Sequence, residues 1–552
     1  MYLLTLIIFL MPPNPFLREP IVPPRFPELM NKGIRYIPEA VGTKKVLVIL
    51  IDFYDNIHQY PSILFDSLIY YDSCSSLRDY YTEASYGKFT ISQQSQVVDW
   101  VRAPQGYDYY IGDSFGIYPG NFPQNVQGIV WAACSLADPV VDFSQFDEDQ
   151  DDTVDALFIV HAGPGAEETG NINYVWSHQW QLSNTGSGCP GAYLTNDGVY
   201  VDHYSMEPER FETYTGRITV GVFAHEFGHI LGLPDLYDTD YSTYGIGMFG
   251  IMAAGSWGRA SAQELPGSSP VHFCAWSKYQ LGWVQPIGIE RIGISKMENQ
   301  LIPAVADTGL IYRLLNDPDG PDWEWPGGSG EYFLVENRYR TGFDKSLPGD
   351  GLLILHIDDT QTSNSNENHP LVGIMQADGE TGFLLKDIGK AEDLWKNSTY
   401  GFGDTSRPAS LDYNGNPTGV WVYNIGPADS ITTASFWVTP ILLGKVYSFP
   451  NPYRADRTPS WGKKVIITYV PSDTAELAYS FPRFRVTIYN IAGERVRVLD
   501  TEPNEIDRLS RRAFWDLKND KGEEVVSGMY LYVIETLGEK IERNKGRLTV
   551  IR

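Results

Sequence analysis

Residues 225–235 read His-Glu-Phe-Gly-His-Ile-Leu-Gly-Leu-Pro-Asp, a run that fixes both a local helix and what one side of it has to face. Side chains four residues apart on an α-helix stand one above the other, so His225 and His229 can reach a single metal ion. A catalytic zinc takes three protein ligands and keeps a place for water. The third donor must then come from beyond the helix; Asp235 fits the offset, with Asp238 three residues further on. Glu226, beside the first histidine, is placed to act as general base. The flanks supply a start in Thr219 as N-cap and a stop in Gly232 and Pro234. Phe223, Phe227 and Ile230 form an apolar stripe on the opposite face. A bare His-Glu-x-x-His match arises by chance in on the order of 1 in 100 chains of this composition, and adding Gly232 and Asp235 lowers that by roughly two orders of magnitude.

The run from His225 to Asp238, followed by Gly250-Ile-Met-Ala-Ala-Gly-Ser-Trp257, resembles the immune inhibitor A family of secreted bacterial metallopeptidases, which are themselves similar to metzincins. Weaker likenesses fall in the same order along residues 40 to 440: Val46-Leu-Val-Ile-Leu-Ile-Asp-Phe, Tyr80-Tyr-Thr-Glu-Ala-Ser-Tyr-Gly-Lys, His161-Ala-Gly-Pro-Gly-Ala-Glu-Glu-Thr-Gly and Gly351-Leu-Leu-Ile-Leu-His-Ile-Asp. The resemblance implies a zinc endopeptidase of protein or peptide substrates, with Met252 on a tight turn beneath the metal. It also implies a phenol or imidazole that steadies the oxyanion; His161, His178, His203 and the many tyrosines are all open for that role.

A second metal signal is independent of the first. Asp147-Glu-Asp149-Gln-Asp151-Asp-Thr153-Val-Asp155 places oxygen donors at alternate positions, which suits calcium, a hard cation taking six to eight oxygens. Carboxylates this dense repel one another unless a cation neutralises them. The match to an EF-hand loop is partial: Asp152 stands where glycine is expected and Phe158 where a bidentate glutamate would be.

With 552 residues the chain is too long for one core. Its net charge of −27 disfavours nucleic-acid phosphates and anionic membrane surfaces as partners, and no run approaches the 18 apolar residues of a transmembrane helix. Residues 2 to 10 form a shorter apolar run suited to the core of a signal peptide, although no Lys or Arg precedes it and Pro12, Pro13 and Pro15 follow. Export to the medium or cell surface is the expectation. Cys74, Cys134, Cys189 and Cys274 allow three pairings, and spacing does not choose among them.

The organisation expected is multidomain. A signal-peptide-like segment at 1–20 and a proline-bearing lead or pro-segment remnant at 21–44 precede an α+β, metzincin-like catalytic domain with a mixed sheet at 45–285. A β-rich accessory domain with glycine-rich turns, such as Asp317-Pro-Asp-Gly-Pro-Asp and Pro326-Gly-Gly-Ser-Gly, spans 286–440. An all-β immunoglobulin-like sandwich spans 445–552; in it Phe484, Val486 and Ile488 alternate inward, and Asn519-Asp-Lys-Gly is a hairpin turn between Phe514-Trp-Asp and the run from Val525. This last unit resembles the immunoglobulin-like domain of flagellar hook-capping proteins and the sorting domains of type IX secretion cargo, which implies contact with secretion machinery or the cell surface. The rival reading is an adhesion protein whose peptidase-like domain has lost activity; the intact His225, Glu226 and His229 speak against it.

Overall fold

The structure, a computed structural model, describes residues 9–16, 40–71, 75–112, 114–117, 121–183, 188–291, 294–317, 330–380, 388–439, 446–457, 462–469, 484–500, 506–507, 512–536 and 543–552. Most of the lead at 21–44, the glycine-rich turns over 318–329 and Cys74 lie outside the described residues. Cys134, Cys189 and Cys274 are buried and form no disulfide with one another.

Strands β1 (Phe9–Leu10), β2 (Leu47–Asp52), β3 (Gln96–Arg102), β4 (Leu157–Pro164), β5 (His178–Gln181) and β6 (His203–Arg210) make a six-stranded sheet in the order β1-β5-β6-β4-β2-β3. β2 runs parallel to β3 and β4, and β6 runs parallel to β4, whereas β5 is antiparallel to β6 and to β1. The sheet is therefore mixed. Every residue of β2 and of β4 is buried, as continuous apolar runs covered on both faces require.

Helix α1 (Leu77–Ala84) is started by a capping box in which Ser76 and Asp79 satisfy each other's backbone amides. It packs on α2 (Val220–Ile230), where Tyr81 Oη donates to Ala224 O at 2.8 Å. The stripe on α2 faces the sheet: Phe223 and Phe227 lie 5.3 and 5.9 Å from Phe158 of β4, centre to centre. Thr219 occupies the N-cap position, but its hydroxyl donates to Pro266 O instead of capping; a loop packed against the helix start out-competes the local bond. The C-terminal stop is as the residues dictate, since Gly232 adopts a φ of +102° that an L side chain rarely tolerates, and the Leu233 amide then turns back to Gly228 O.

The first described segment, 9–16, falls within the stretch read as an export leader. Here Leu10 and Met11 are buried in the core of the first unit, and β1 closes the edge of its sheet.

The β-rich stretch beyond 285 holds a five-stranded sheet and a three-stranded sheet. Period-2 alternation gives the larger one two buried faces. From Glu331–Arg338, Tyr332 and Leu334 enter the core of the first unit, while Phe333 and Val335 enter a second core against the smaller sheet. The accessory stretch thus shares a core with the unit that precedes it.

Residues 446–552 form a four-stranded and a five-stranded sheet over one core that includes Val465, Ile467, Trp515, Val486, Ile488 and Tyr532. Phe484, Val486 and Ile488 point inward as the alternation predicts. The hairpin reading is corrected. Asn519–Gly522 is a turn, and Lys518 pairs with Glu524, but Arg512–Trp515 then pairs in the smaller sheet and Gly528–Thr536 in the larger. The two strands separate because Trp515 and Tyr530 meet across the core, 5.3 Å between ring centres, from opposite sheets.

Candidate metal centre

The α2 helix and the chain reversal after it bring three donors together. His225 Nε2 and His229 Nε2 stand 3.1 Å apart, and Asp235 Oδ1 lies 3.3 and 3.2 Å from them. Their other ring nitrogens are committed: His225 Nδ1 donates to Ile251 O and His229 Nδ1 to Leu233 O, each at 2.8 Å. A carbonyl can only accept, so Nδ1 of each ring carries a hydrogen and Nε2 is the ring atom turned toward the other imidazole and toward the Asp235 carboxylate. Two imidazole nitrogens and a carboxylate oxygen held this close are suited to sharing one cation. Tetrahedral zinc, with bonds of about 2.0–2.2 Å, places its ligand atoms about 3.3 Å apart. The spacing observed is one a tetrahedral zinc could bridge, and of the two aspartates it is Asp235 that groups with the imidazoles.

The carbonyls that orient the histidines come from the two loops the motif needs. Ile251 and Met252 sit on the buried turn that follows the ligand loop, and Met252 O accepts the Leu236 amide at 2.7 Å. Asp238 is buried too, but serves the loop: it accepts from the Thr243 amide and from the hydroxyls of Ser242 and Thr243.

Glu226 is fully buried, and neither carboxylate oxygen has a hydrogen-bond partner. Burial foremost, then the nearby carboxylates of Glu207, Asp235 and Glu167, push its carboxyl well above the usual range. An unpartnered acid at that depth is uncommon and marks Glu226 as a candidate functional group. Tyr237, two residues past Asp235, sets its ring 6.5 Å from that of His225, tilted by 30°, and donates its hydroxyl to Leu10 O at 2.6 Å. Sequence reasoning did not single it out among the tyrosines, although its nearness to Asp235 was a usable signal. His161 and His178, left open as oxyanion groups, bond through Nδ1 to the carbonyls of Ala162 and Trp176, and His203 reaches Gln179.

The acidic loop is only partly gathered. Single oxygens of Asp147, Asp149 and Asp151 lie within 4.8 Å of one another. Asp152 takes the left-handed φ of +67° that glycine would supply. Asp155 is turned elsewhere, to the Glu148 amide and Lys44 Nζ, and Thr153 donates its amide to Asp151.

Residues 44–284 match the family model for the immune inhibitor A peptidase M6 catalytic domain. Residues 44–284 make up a peptidase M6-type domain. Two curated relatives align with part of this chain: the pre-pro-metalloprotease PrtV of Vibrio cholerae serotype O1, 31% identical over 266 residues, and immune inhibitor A of Bacillus thuringiensis subsp. alesti, 30% identical over 284 residues. Each alignment covers 43% of this chain, and only 27% and 39% of those relatives' length. The M6-type domain therefore matches metallopeptidases by family and by relatives, as the His-Glu-x-x-His segment implied. Among solved structures, PorZ of the type-IX secretion system of Porphyromonas gingivalis is 17% identical, with a TM-score of 0.16 over 41% of this chain and 28% of that one; a likeness so slight bears on neither fold nor function. No helix among the described residues is long and apolar enough to cross a membrane.

Proposed function

We propose that the M6-type domain is a zinc-dependent endopeptidase that hydrolyses peptide bonds in proteins, with His225, His229 and Asp235 as metal ligands and Glu226 as general base. One observation carries the reading: two imidazole Nε2 atoms and a carboxylate oxygen converge at a spacing zinc could bridge, next to a buried, unpartnered glutamate. Bound there, zinc would supply Lewis acidity and a water of pKa near 7. Glu226 then takes a proton from the attacking water at its carboxylate and gives it to the departing amine nitrogen. The paired Nδ1 bonds hold both rings in the ligating tautomer throughout.

Glu226→Gln should keep zinc near one equivalent per chain while casein digestion falls by about 10²- to 10⁴-fold; retained digestion in that variant overturns the assignment. Within the same reading, the domain is a metzincin-like peptidase released from the cell or held at its surface. Residues 446–552 would be an immunoglobulin-like module for sorting or anchoring, in contact with secretion machinery or the cell surface. Asp147, Asp149 and Asp151 would take calcium, with Asp155 acting through its bonds to the loop rather than as a ligand. Equal melting curves with calcium and with a calcium-selective chelator would remove that ion from the proposal.

A further inference from the structure

The strand Glu331–Arg338 of the β-rich stretch sends Tyr332 and Leu334 into the core of the unit that holds the candidate metal centre. Period-2 alternation puts Glu336 and Arg338 on that same face. Arg338 is fully buried, and a guanidinium at such depth has to be paired. Its fork grips Asp344 with two parallel bonds, Nε to Oδ2 at 3.1 Å and Nη2 to Oδ1 at 2.6 Å. Nη1 donates to Glu336 Oε1 at 3.3 Å. Two carboxylates already neutralise the cation, yet Nη1 comes closer to a third acceptor, the backbone carbonyl of Phe249, at 2.7 Å. That carbonyl belongs to the other unit. Phe249 stands two residues ahead of Ile251, whose carbonyl takes the Nδ1 hydrogen of His225 at 2.8 Å. The backbone between them has little play: Phe249 and Ile251 are buried, the Ala253 amide turns back to Gly250 O at 3.1 Å, and a Cβ on Gly250 would stand 2.5 Å from Ile246 Cδ1. Met252 O, one residue further, holds the Leu236 amide beside Asp235.

A displacement at Phe249 O therefore reaches the carbonyl that orients one ligand and the carbonyl that anchors the loop of another. We propose that Arg338 is a positioning residue for the metal centre: through its guanidinium the β-rich sheet fixes the turn from Phe249 to Met252, and with it the tilt of the His225 ring. The planar fork suits this task because it sets Asp344, Glu336 and Phe249 O in one rigid arrangement, which a single ammonium on a flexible stem cannot do. That the positioned ion serves peptide hydrolysis rests on the peptidase reading; the clasp itself rests on the hydrogen bonds just described.

The test uses the full chain and compares Arg338→Lys with Glu83→Gln. The second variant disturbs the same interface, since Glu83 bonds to His272 Nε2 and accepts the Phe343 amide, but both partners lie outside the turn from Phe249 to Met252. Arg338→Lys should weaken zinc about tenfold by competitive titration, the lower end of the loss seen when a group behind a ligand is changed. It should also alter the visible absorption of the cobalt(II)-loaded chain, which reports ligand geometry. Glu83→Gln should lower the melting temperature, keep zinc affinity within about twofold and leave the cobalt spectrum as in wild type. If Arg338→Lys fails to fold by circular dichroism, Asp344→Asn takes its place; it frees one side of the fork and should weaken zinc about threefold. A purely structural Arg338 would lower the melting temperature with zinc affinity and cobalt spectrum unchanged, and that result overturns the proposal, as does an equal loss of zinc in Glu83→Gln. Wild type that takes up neither zinc nor cobalt sinks the proposal and the peptidase reading together. Wild type that binds zinc, is loosened by Arg338→Lys and yet releases no fragments from casein leaves the positioning role standing and sinks the peptidase reading alone.

Discussion

A Cβ built on Gly228 would stand 2.5 Å from Met252 Sδ, so the thioether fills the gap left on α2 between His225 and His229. The glycine lies mid-helix, where alanine is the better helix former by about 1 kcal/mol. Packing works against the exchange, because Met252 Cε and Phe273 Cε1 also close in at 3.2 and 3.3 Å and Met252 has to shift to admit a methyl. Gly228→Ala should cost a net 1–2 kcal/mol or so through overpacking. It should also loosen zinc, since the turn that orients His225 through Ile251 O has to shift. Thermal unfolding and competitive zinc titration check both effects; an unchanged melting point with unchanged zinc affinity would show that Met252 moves aside freely.

Two aspartates three residues apart offer a clean contrast. Asp235→Asn should reduce zinc affinity by at least tenfold, because a neutral amide replaces the charged third donor. Asp238→Asn should leave zinc affinity within about twofold and lower stability by about 1–3 kcal/mol, the cost of disturbing buried hydrogen bonds to Ser242 and Thr243. Metal content by mass spectrometry under native conditions, beside urea unfolding, separates the two. The reverse pattern would make Asp238 the ligand.

His178 is buried, and burial pushes its pKa down to about 4. In the unfolded chain an imidazole titrates near 6.5. Below that value the unfolded state takes up a proton that the folded state refuses, so this contribution to stability is intact above pH 6.5 and drains away as pH falls toward 4. Urea unfolding should therefore show wild type losing about 1 kcal/mol more than His178→Gln between pH 6 and pH 5. Parallel losses in the two proteins would mean that the folded imidazole is charged.

The sequence showed the metal helix because ligand spacing, helix period and termination agree within eleven residues, and it showed β2 and β4 because continuous apolar runs admit few other readings. Relations across long separations were not legible. The pairing of Leu10 with His178 and the phenol of Tyr237 against Leu10 O depend on which strand takes the sheet edge, and no local pattern encodes that. Asp155 kept the right spacing for calcium, yet Lys44 and the Glu148 amide hold its carboxylate. The turn at Asn519–Gly522 was recognised while its strands were misassigned, since turn chemistry fixes a reversal and tertiary packing chooses the sheet.

The C-terminal unit offers a prediction from packing alone. Among the described residues its buried cluster, with Trp515, Ile488 and Tyr532, draws on residues 453–550, whereas the stretch before 440 shares its core with the unit that holds the candidate metal centre through Tyr332, Leu334 and Leu353. A unit with a closed core of its own can be removed without opening another. A chain ending near residue 440 should therefore bind zinc with unchanged stoichiometry, keep its melting transition within a few degrees and digest casein within about twofold of the full chain. Ending it near 285 should expose the apolar face that Tyr332, Leu334 and Leu353 cover, and the product should aggregate or unfold. Casein digestion that survives the cut at 285 and fails at 440 would place the energetic boundary on the wrong side of the β-rich sheets.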